Sequence, residues 1–250
     1  MTEEGQYIYA IVATSEDKNF GPIGIGSRND DVFTVCYRDI GAVISPSLIM
    51  KYPVSRANTI AHQKVMEETM KFYPMLPVRF GTVAEGTELI KEKVLKARYD
   101  EIEKLLSYVE DKIELGLKAL WVNMQDIYKE IIDENRDIMS LRDRIMSKPI
   151  KPQRDQVRLG EMVKKALYAK RMRDEKAILD PLKGLCADHK VNNGFGDQMV
   201  TNSSFLVPKD REKKFDDAVD KLSAKYDGRL KFKYVGPVPP CNFVEIVVKW

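Results

Sequence analysis

The chain has 250 residues, 44% hydrophobic and 32% charged, which allows one large domain or two small ones around a packed core. Its 41 basic and 38 acidic side chains leave a net charge of only +3, too even a balance to mark a nucleic-acid or membrane binder from the total. Three scattered cysteines, Cys36, Cys186 and Cys241, make no disulfide framework and fit a reducing compartment.

The opening Met-Thr-Glu-Glu lacks the basic segment of a signal peptide. No run approaches the roughly 18 apolar residues that a spanning helix needs. A soluble, cytoplasmic protein with no lipid-membrane partner is expected. Tyr7–Val12 is continuously apolar, β-branched and aromatic, and reads as a buried strand. Asn19–Asp31, rich in Gly, Asn and Asp, reads as a loop. Val32–Tyr37 and Ala42–Ser45 read as two strands about a turn, with Pro46 closing the second.

Ser55 caps a predicted helix that runs to about Tyr73, with Ala61, Val65, Thr69 and Phe72 on one face. Leu76–Phe80 reads as a short strand, at an edge or a strand start because of Pro77. Thr87–Val109 carries a helical stripe of Ile90, Val94, Ala97, Ile102, Leu105 and Val109. Ile113–Trp121 alternates with period two and reads as a strand. Two or three helices follow to Leu182, bent near Pro149 and Pro152. Lys183–Asp197 reads as a mobile loop and Ser203–Val207 as a strand. Arg211–Tyr226 is an amphipathic helix with Phe215, Val219, Leu222 and Tyr226 on its apolar face. Leu230–Tyr234 and Phe243–Trp250 read as the last two strands.

Strands and helices thus mix without strict β-α alternation. The expected fold class is α+β with two domains joined near Glu110–Asp111. Residues 1–110 make an N-terminal α+β domain. Residues 111–250 make a split βαβ arrangement enlarged by a helical insertion, with a Pro-rich segment and a final strand at the end.

No catalytic set is visible. His62 and His189 are the only histidines. His62 reads as a partly buried ring making one hydrogen bond rather than a catalytic base. Cys186-Ala-Asp-His189 supplies two ligand types where a zinc site wants four. Gly24-Ile-Gly26 is similar to a dinucleotide loop, but Asn29 stands at the third glycine position and Asp30-Asp31 would repel a pyrophosphate. No catalytic, cofactor-binding or metal residue is assigned.

Two features point to surfaces instead. Lys148–Lys176 holds ten basic residues against four acidic ones, with Arg154, Arg158, Lys164, Lys165 and Arg171 as its candidate basic face. That face reads as a solvated helix or as a surface for an anionic partner. A single interleaved aromatic, Tyr168, gives no stacking platform, so nucleic acid is not expected. Arg79, between Leu-Pro-Val and Phe-Gly, suits a carboxylate partner, within the chain or across an interface.

Leu76-Pro-Val-Arg-Phe-Gly-Thr-Val83 resembles the signature of the gas vesicle accessory proteins GvpF and GvpL. Tyr7–Val12 resembles that family's opening strand, Ile40–Ser45 its early hairpin strand, and Ala61–Met66 its His-containing helix. Gly236-Pro-Val-Pro-Pro-Cys-Asn-Phe-Val244 is similar to its closing motif, with Val238 in place of Trp and Cys241-Asn242 in place of Tyr-Ser. The likeness spans nearly the whole chain.

The resemblance implies a second domain of modified ferredoxin-like fold. It also implies a non-enzymatic, cofactor-free role in gas vesicle assembly, in the cytoplasm or on the vesicle. The implied partners are the small hydrophobic major shell protein and other gas vesicle accessory proteins. Candidate contact residues are Pro77, Arg79, Phe80, Pro239, Pro240 and Phe243, on apolar edges expected to be exposed. The rival reading is a nucleic-acid or anionic-surface binder that uses residues 148–176.

Overall fold

The computed structural model describes residues 3–26, 28–248 and 250. The chain is mixed α+β and divides into two compact units, Met1–Glu114 with Gly236–Trp250, and Leu115–Val235. This differs from the expected boundary in two respects, the first being that the join falls after Glu114 rather than near Glu110–Asp111. The last fifteen residues belong with the first unit, because Val244 and Ile246 are buried in its apolar core.

The first unit is built on β1 (Glu4–Ala13). A six-stranded sheet runs β2 (Asn19–Gly21), β3 (Val32–Tyr37), β4 (Ile40–Leu48), β1, β5 (Met75–Pro77), and β6 (Val83–Ala84) also pairs with β1. Both faces of β1 are covered, which is why its sequence is continuously apolar. Ile8 and Ile11 join one core, Tyr7, Tyr9, Ala10 and Val12 the other. The register against β4 shifts between Ile8 and Ala10. A bulge there lets two consecutive residues face the same core.

Helix α1 (Arg56–Met70) starts at the Ser55 cap, whose hydroxyl oxygen accepts from the Asn58 N–H. It buries His62, Val65, Met66 and Thr69. Phe72 lies beyond its end and is exposed, with the Lys18 ammonium 3.7 Å from its ring centre. The predicted helix over 87–109 is three pieces. They are α2 (Thr87–Ile90), a π-helical turn (Lys91–Lys96) and α3 (Tyr99–Val109). The wide turn re-phases the apolar stripe, so Leu95 and Leu106 are buried where Ala97 and Leu105 were expected.

Three further expectations are corrected. Pro46 does not end β4, which continues to Leu48. The pairing with β3 stops at Phe33–Ile44, so Pro46 sits where no β3 partner needs its missing N–H. The 183–197 segment contains a strand, β8 (Asp188–Val191), a short polar edge paired antiparallel to β9 (Met199–Pro208). Phe243–Trp250 forms no strand among its described residues, only a parallel bridge between Val78 and Ile246.

The second unit carries a four-stranded sheet in the order β10 (Leu230–Val238), β7 (Lys112–Trp121), β9, β8. Between β7 and β8 come α4 (Met124–Glu134), α5 (Arg136–Met146) and the long α6 (Gln153–Lys183), and α7 (Glu212–Lys225) links β9 to β10. Pro149 and Pro152 fall in the bend before α6. Pro181 lies inside the last turn of α6, and its missing N–H forgoes one intrahelical bond, to the Ala177 carbonyl.

Candidate interaction site

The two Pro- and Gly-bearing motifs meet in space. Val78 N–H donates to the Tyr9 carbonyl at 2.9 Å, and Ala10 and Pro77 face each other across β1 and β5. On its other side the same segment takes up the C-terminal stretch. Ile246 N–H donates to the Pro77 carbonyl at 2.8 Å, and Arg79 N–H donates to the Ile246 carbonyl at 3.1 Å. Lengthening this parallel bridge toward Met75 would need an N–H that Pro77 lacks. On the other side the Gly81 N–H is committed to the Tyr7 hydroxyl at 2.8 Å. The contact therefore stays a single bridge.

Side chains complete the joint. Arg79 Nη2 donates to Glu245 Oε2 at 2.8 Å, both groups about half exposed. Of the two partners considered for Arg79, the intramolecular one is present. Arg98 Nη1 donates to the Val247 carbonyl at 3.0 Å. Glu114, almost fully buried, accepts the Asn242 N–H at 3.0 Å and also binds the Asn242 side-chain amide. Cys241 is exposed as a residue, yet the protein packed around its sulfur displaces water and pushes the thiol up to about 11, with the Glu114 and Glu245 carboxylates adding to this, so it stays protonated at neutral pH.

The same joint reaches α1. Phe80 packs edge-on against His62, with ring centres 5.5 Å apart, and against Tyr7 at 6.4 Å. Tyr7 Oη lies 3.1 Å from His62 Nδ1, and Tyr9 Oη lies 2.8 Å from Ser45 Oγ. Burial lowers the His62 imidazole to about 4 and pushes the Tyr9 phenol up to about 12. His62 makes one side-chain hydrogen bond, as expected, but from a buried rather than a partly buried position.

The expectation of exposed apolar edges is corrected. Pro77, Pro239 and Pro240 are buried, Phe80 and Phe243 are half-buried, and Arg79 alone of the six is exposed. The sequence reading missed Glu245 and Ile246. The alternation Val244, Ile246, Val248 carried the signal that one side of this stretch is buried.

In the second unit, Arg154, Arg158, Lys164 and Lys165 are exposed on α6, and none forms an ion pair among the described residues. Arg171 is half-buried and binds the carbonyls of Gly196 and Asp197, at 3.5 and 3.0 Å. It braces the 192–198 loop and leaves the basic face. Lys170 also turns inward, 2.7 Å from Glu130 and 2.6 Å from Glu134. Glu130 is held down to about 2, chiefly by the Arg229 guanidinium and then by Lys170, against the cost of its burial. Trp121 Nε1 donates to Asp174 at 2.9 Å, and Arg229 reaches the same carboxylate at 3.4 Å. This network joins α4, α6 and the start of β10. Among the described residues no cluster of three His, Cys, Asp or Glu side chains could hold a metal ion. No helix among them is long and apolar enough to cross a membrane.

The distinctive residues thus define a mixed α+β protein whose two motifs brace each other's backbone, and whose densest run of basic side chains lies on one long helix. The sequence model of the family described as Gas vesicle synthesis protein GvpL/GvpF matches residues 5–245, and the chain belongs to that family. It is similar to Gas vesicle protein F of Nostoc sp., with 26% identity covering 78% of this chain and 80% of that protein. It is likewise 26% identical to Gas vesicle protein F1 of Halobacterium salinarum, over 97% and 94% of the two chains. The crystal structure of GvpF from Anabaena sp. superposes with a TM-score of 0.87 at 23% identity, covering 97% of this chain and 99% of that one. GvpF from Microcystis aeruginosa gives 0.80 at 22% identity, over 96% and 98%. The protein is accordingly related to gas vesicle assembly.

Proposed function

We propose that this protein is a non-enzymatic assembly factor that binds the small hydrophobic shell protein and other accessory proteins while gas vesicles form, in the cytoplasm or on the vesicle. The observation that carries the reading is the family match over residues 5–245. A shell that keeps liquid water out must be apolar on its gas side. Its free subunits therefore expose apolar surface and strand edges, and aggregate unless covered. A partner that covers them keeps them competent to polymerise.

Arg79 and Phe80 are the contact residues of this reading. They stand on a frame that Pro77, Pro239, Pro240 and Phe243 help to stiffen. The finer fold reading is a second domain of modified ferredoxin-like type with α4–α6 inserted. It is supported by the element order β-α-α-α-β-β-α-β and the strand order β10-β7-β9-β8.

Co-expression of an affinity-tagged chain with the major shell protein tests the function. The shell protein is retained by the parent chain and lost with Arg79→Glu, whose circular dichroism spectrum is unchanged. Undiminished retention by that folded variant removes Arg79 from the contact. No retention by the parent chain overturns the reading.

A further inference from the structure

A groove runs between α5 and α6 in the second unit. Two adjoining hollows of about 570 and 300 Å³ share Asp137 and Met162 and so form one continuous channel. Its walls are mixed, with Asn135, Asp137 and Ser140 beside apolar groups. Ile138 and Leu141 of α5 lie almost fully buried beneath it, whereas Met162, Ala166 and Ala169 of α6, at spacings of four and three, present one partly exposed helical face. Two alanines there leave room for a third backbone to approach, and Met162 adapts its shape to what it meets.

The rim is charged and one-sided. Arg136, Arg158 and Lys165 border the groove and carry no ion pair among the described residues. Glu134 is already bound by Lys170 and Arg173, and Arg144 faces Asp155 at 3.5 Å. Three free cations therefore stand against one carboxylate, Asp137. From Arg158 to Ala169 the groove is about 16 Å long at the rise of an α-helix, the length of about three turns.

We propose that the α5–α6 groove docks an amphipathic helix of a partner protein, apolar on one face and rich in Asp and Glu along its flanks. The apolar side would lie on Met162, Ala166 and Ala169, and the carboxylates would meet Arg136, Arg158 and Lys165. A helix is the occupant because the groove follows one face of α6 whose two alanines let another helix approach closely. The lining residues named for the groove all come from α4, α5, α6 and the α4–α5 join, so no strand edge among them pairs with an extended peptide. A nucleic acid is disfavoured because Glu134 and Asp137 stand among the lining residues. The groove residues belong to the second unit and Arg79 to the first, so the failure of the docking site and the failure of the shell-protein reading are distinguishable.

Fluorescence anisotropy with the full chain tests this. The probes are a labelled 14-residue Leu/Glu amphipathic peptide, the same peptide with Lys for Glu, and a labelled single-stranded oligonucleotide. The Leu/Glu peptide binds, the Leu/Lys peptide does not, and Arg158→Glu with Lys165→Glu weakens the first by about tenfold or more. Both positions are exposed, so the variant folds, as circular dichroism checks. Ala166→Phe, which fills the trough without changing charge, weakens binding as well. The proposal is overturned by no binding of the Leu/Glu peptide, by equal binding of the Leu/Lys peptide, or by undiminished binding to either variant. Saturable, salt-sensitive binding of the oligonucleotide alone overturns it in favour of an anionic-polymer surface.

Discussion

Tyr7 Oη sits 3.1 Å from His62 Nδ1 while it accepts the Gly81 N–H at 2.8 Å. The hydroxyl oxygen has a second lone pair, so toward Nδ1 it either donates or accepts, according to the His62 tautomer. One side chain of the central strand thereby joins the His-bearing helix to the turn of the signature segment. Three of the first unit's motifs, the opening strand, the His-bearing helix and the signature segment, thus meet at one hydroxyl group.

This arrangement makes stability pH-dependent. The folded protein holds His62 near about 4, chiefly by burial, whereas the unfolded value is 6.5. Below 6.5 the unfolded chain binds a proton that the folded one refuses, so stability falls as pH drops from about 6.5 toward 4. Between pH 7 and pH 5 the loss is on the order of 2 kcal/mol from this group. Urea unfolding at the two pH values measures it. In His62→Gln that part of the difference disappears; an unchanged difference would show that other groups cause it.

Gly81 has φ of +81°, and a Cβ there meets nothing within 4 Å. Space is available but the left-handed backbone is not favourable for an L side chain. Gly81→Ala should cost about 1 kcal/mol through the backbone alone. Thermal denaturation reads this as a small drop in Tm with an unchanged cooperative transition.

Ile246 is fully buried in the core that also holds Ile8 and Ile11. Ile246→Ala removes buried methyl groups and should destabilise by about 2–4 kcal/mol. Deleting residues 244–250 should cost more, since it also removes the bridge to Val78. Equilibrium unfolding in urea compares the two. A deletion no worse than a surface change would contradict the packing of this segment.

Lys170 is almost fully buried between two half-exposed carboxylates. Lys170→Met leaves Glu130 and Glu134 without the charge between them, though Arg229 and Arg173 remain. The cost should be about 1–2 kcal/mol, below that of a wholly buried pair because the carboxylates still touch water. It should shrink as pH falls through the Glu134 and then the Glu130 titration, where the carboxylates lose their charge. Unfolding at pH 7 and pH 3 checks both statements.

Reading from sequence located β1, β3, α1, β7, α7 and the bend at Pro149–Pro152, since period, caps and proline act within a few residues. It also expected one hydrogen bond from His62, which the Tyr7 hydroxyl provides, though the ring is more deeply buried than expected. The pairing of residues 76–83 with 236–248 was not legible. That contact spans about 160 positions, and nothing in either segment states which partner it takes. The same holds for Arg79, which meets Glu245 only because the Val78–Ile246 bridge lays the two backbones side by side.

By itself the chain of residues determined most of the strands and helices, which faces of them are apolar, and which family the motifs resemble, because these follow from local periodicity and side-chain chemistry. Only the tertiary structure decided that the proline-rich motifs are buried frame rather than exposed edge, that Lys170 and Arg171 turn away from the basic face, and that a trough lies between α5 and α6. Burial is a property of what packs against a segment, and for these segments the packing partners lie far along the chain.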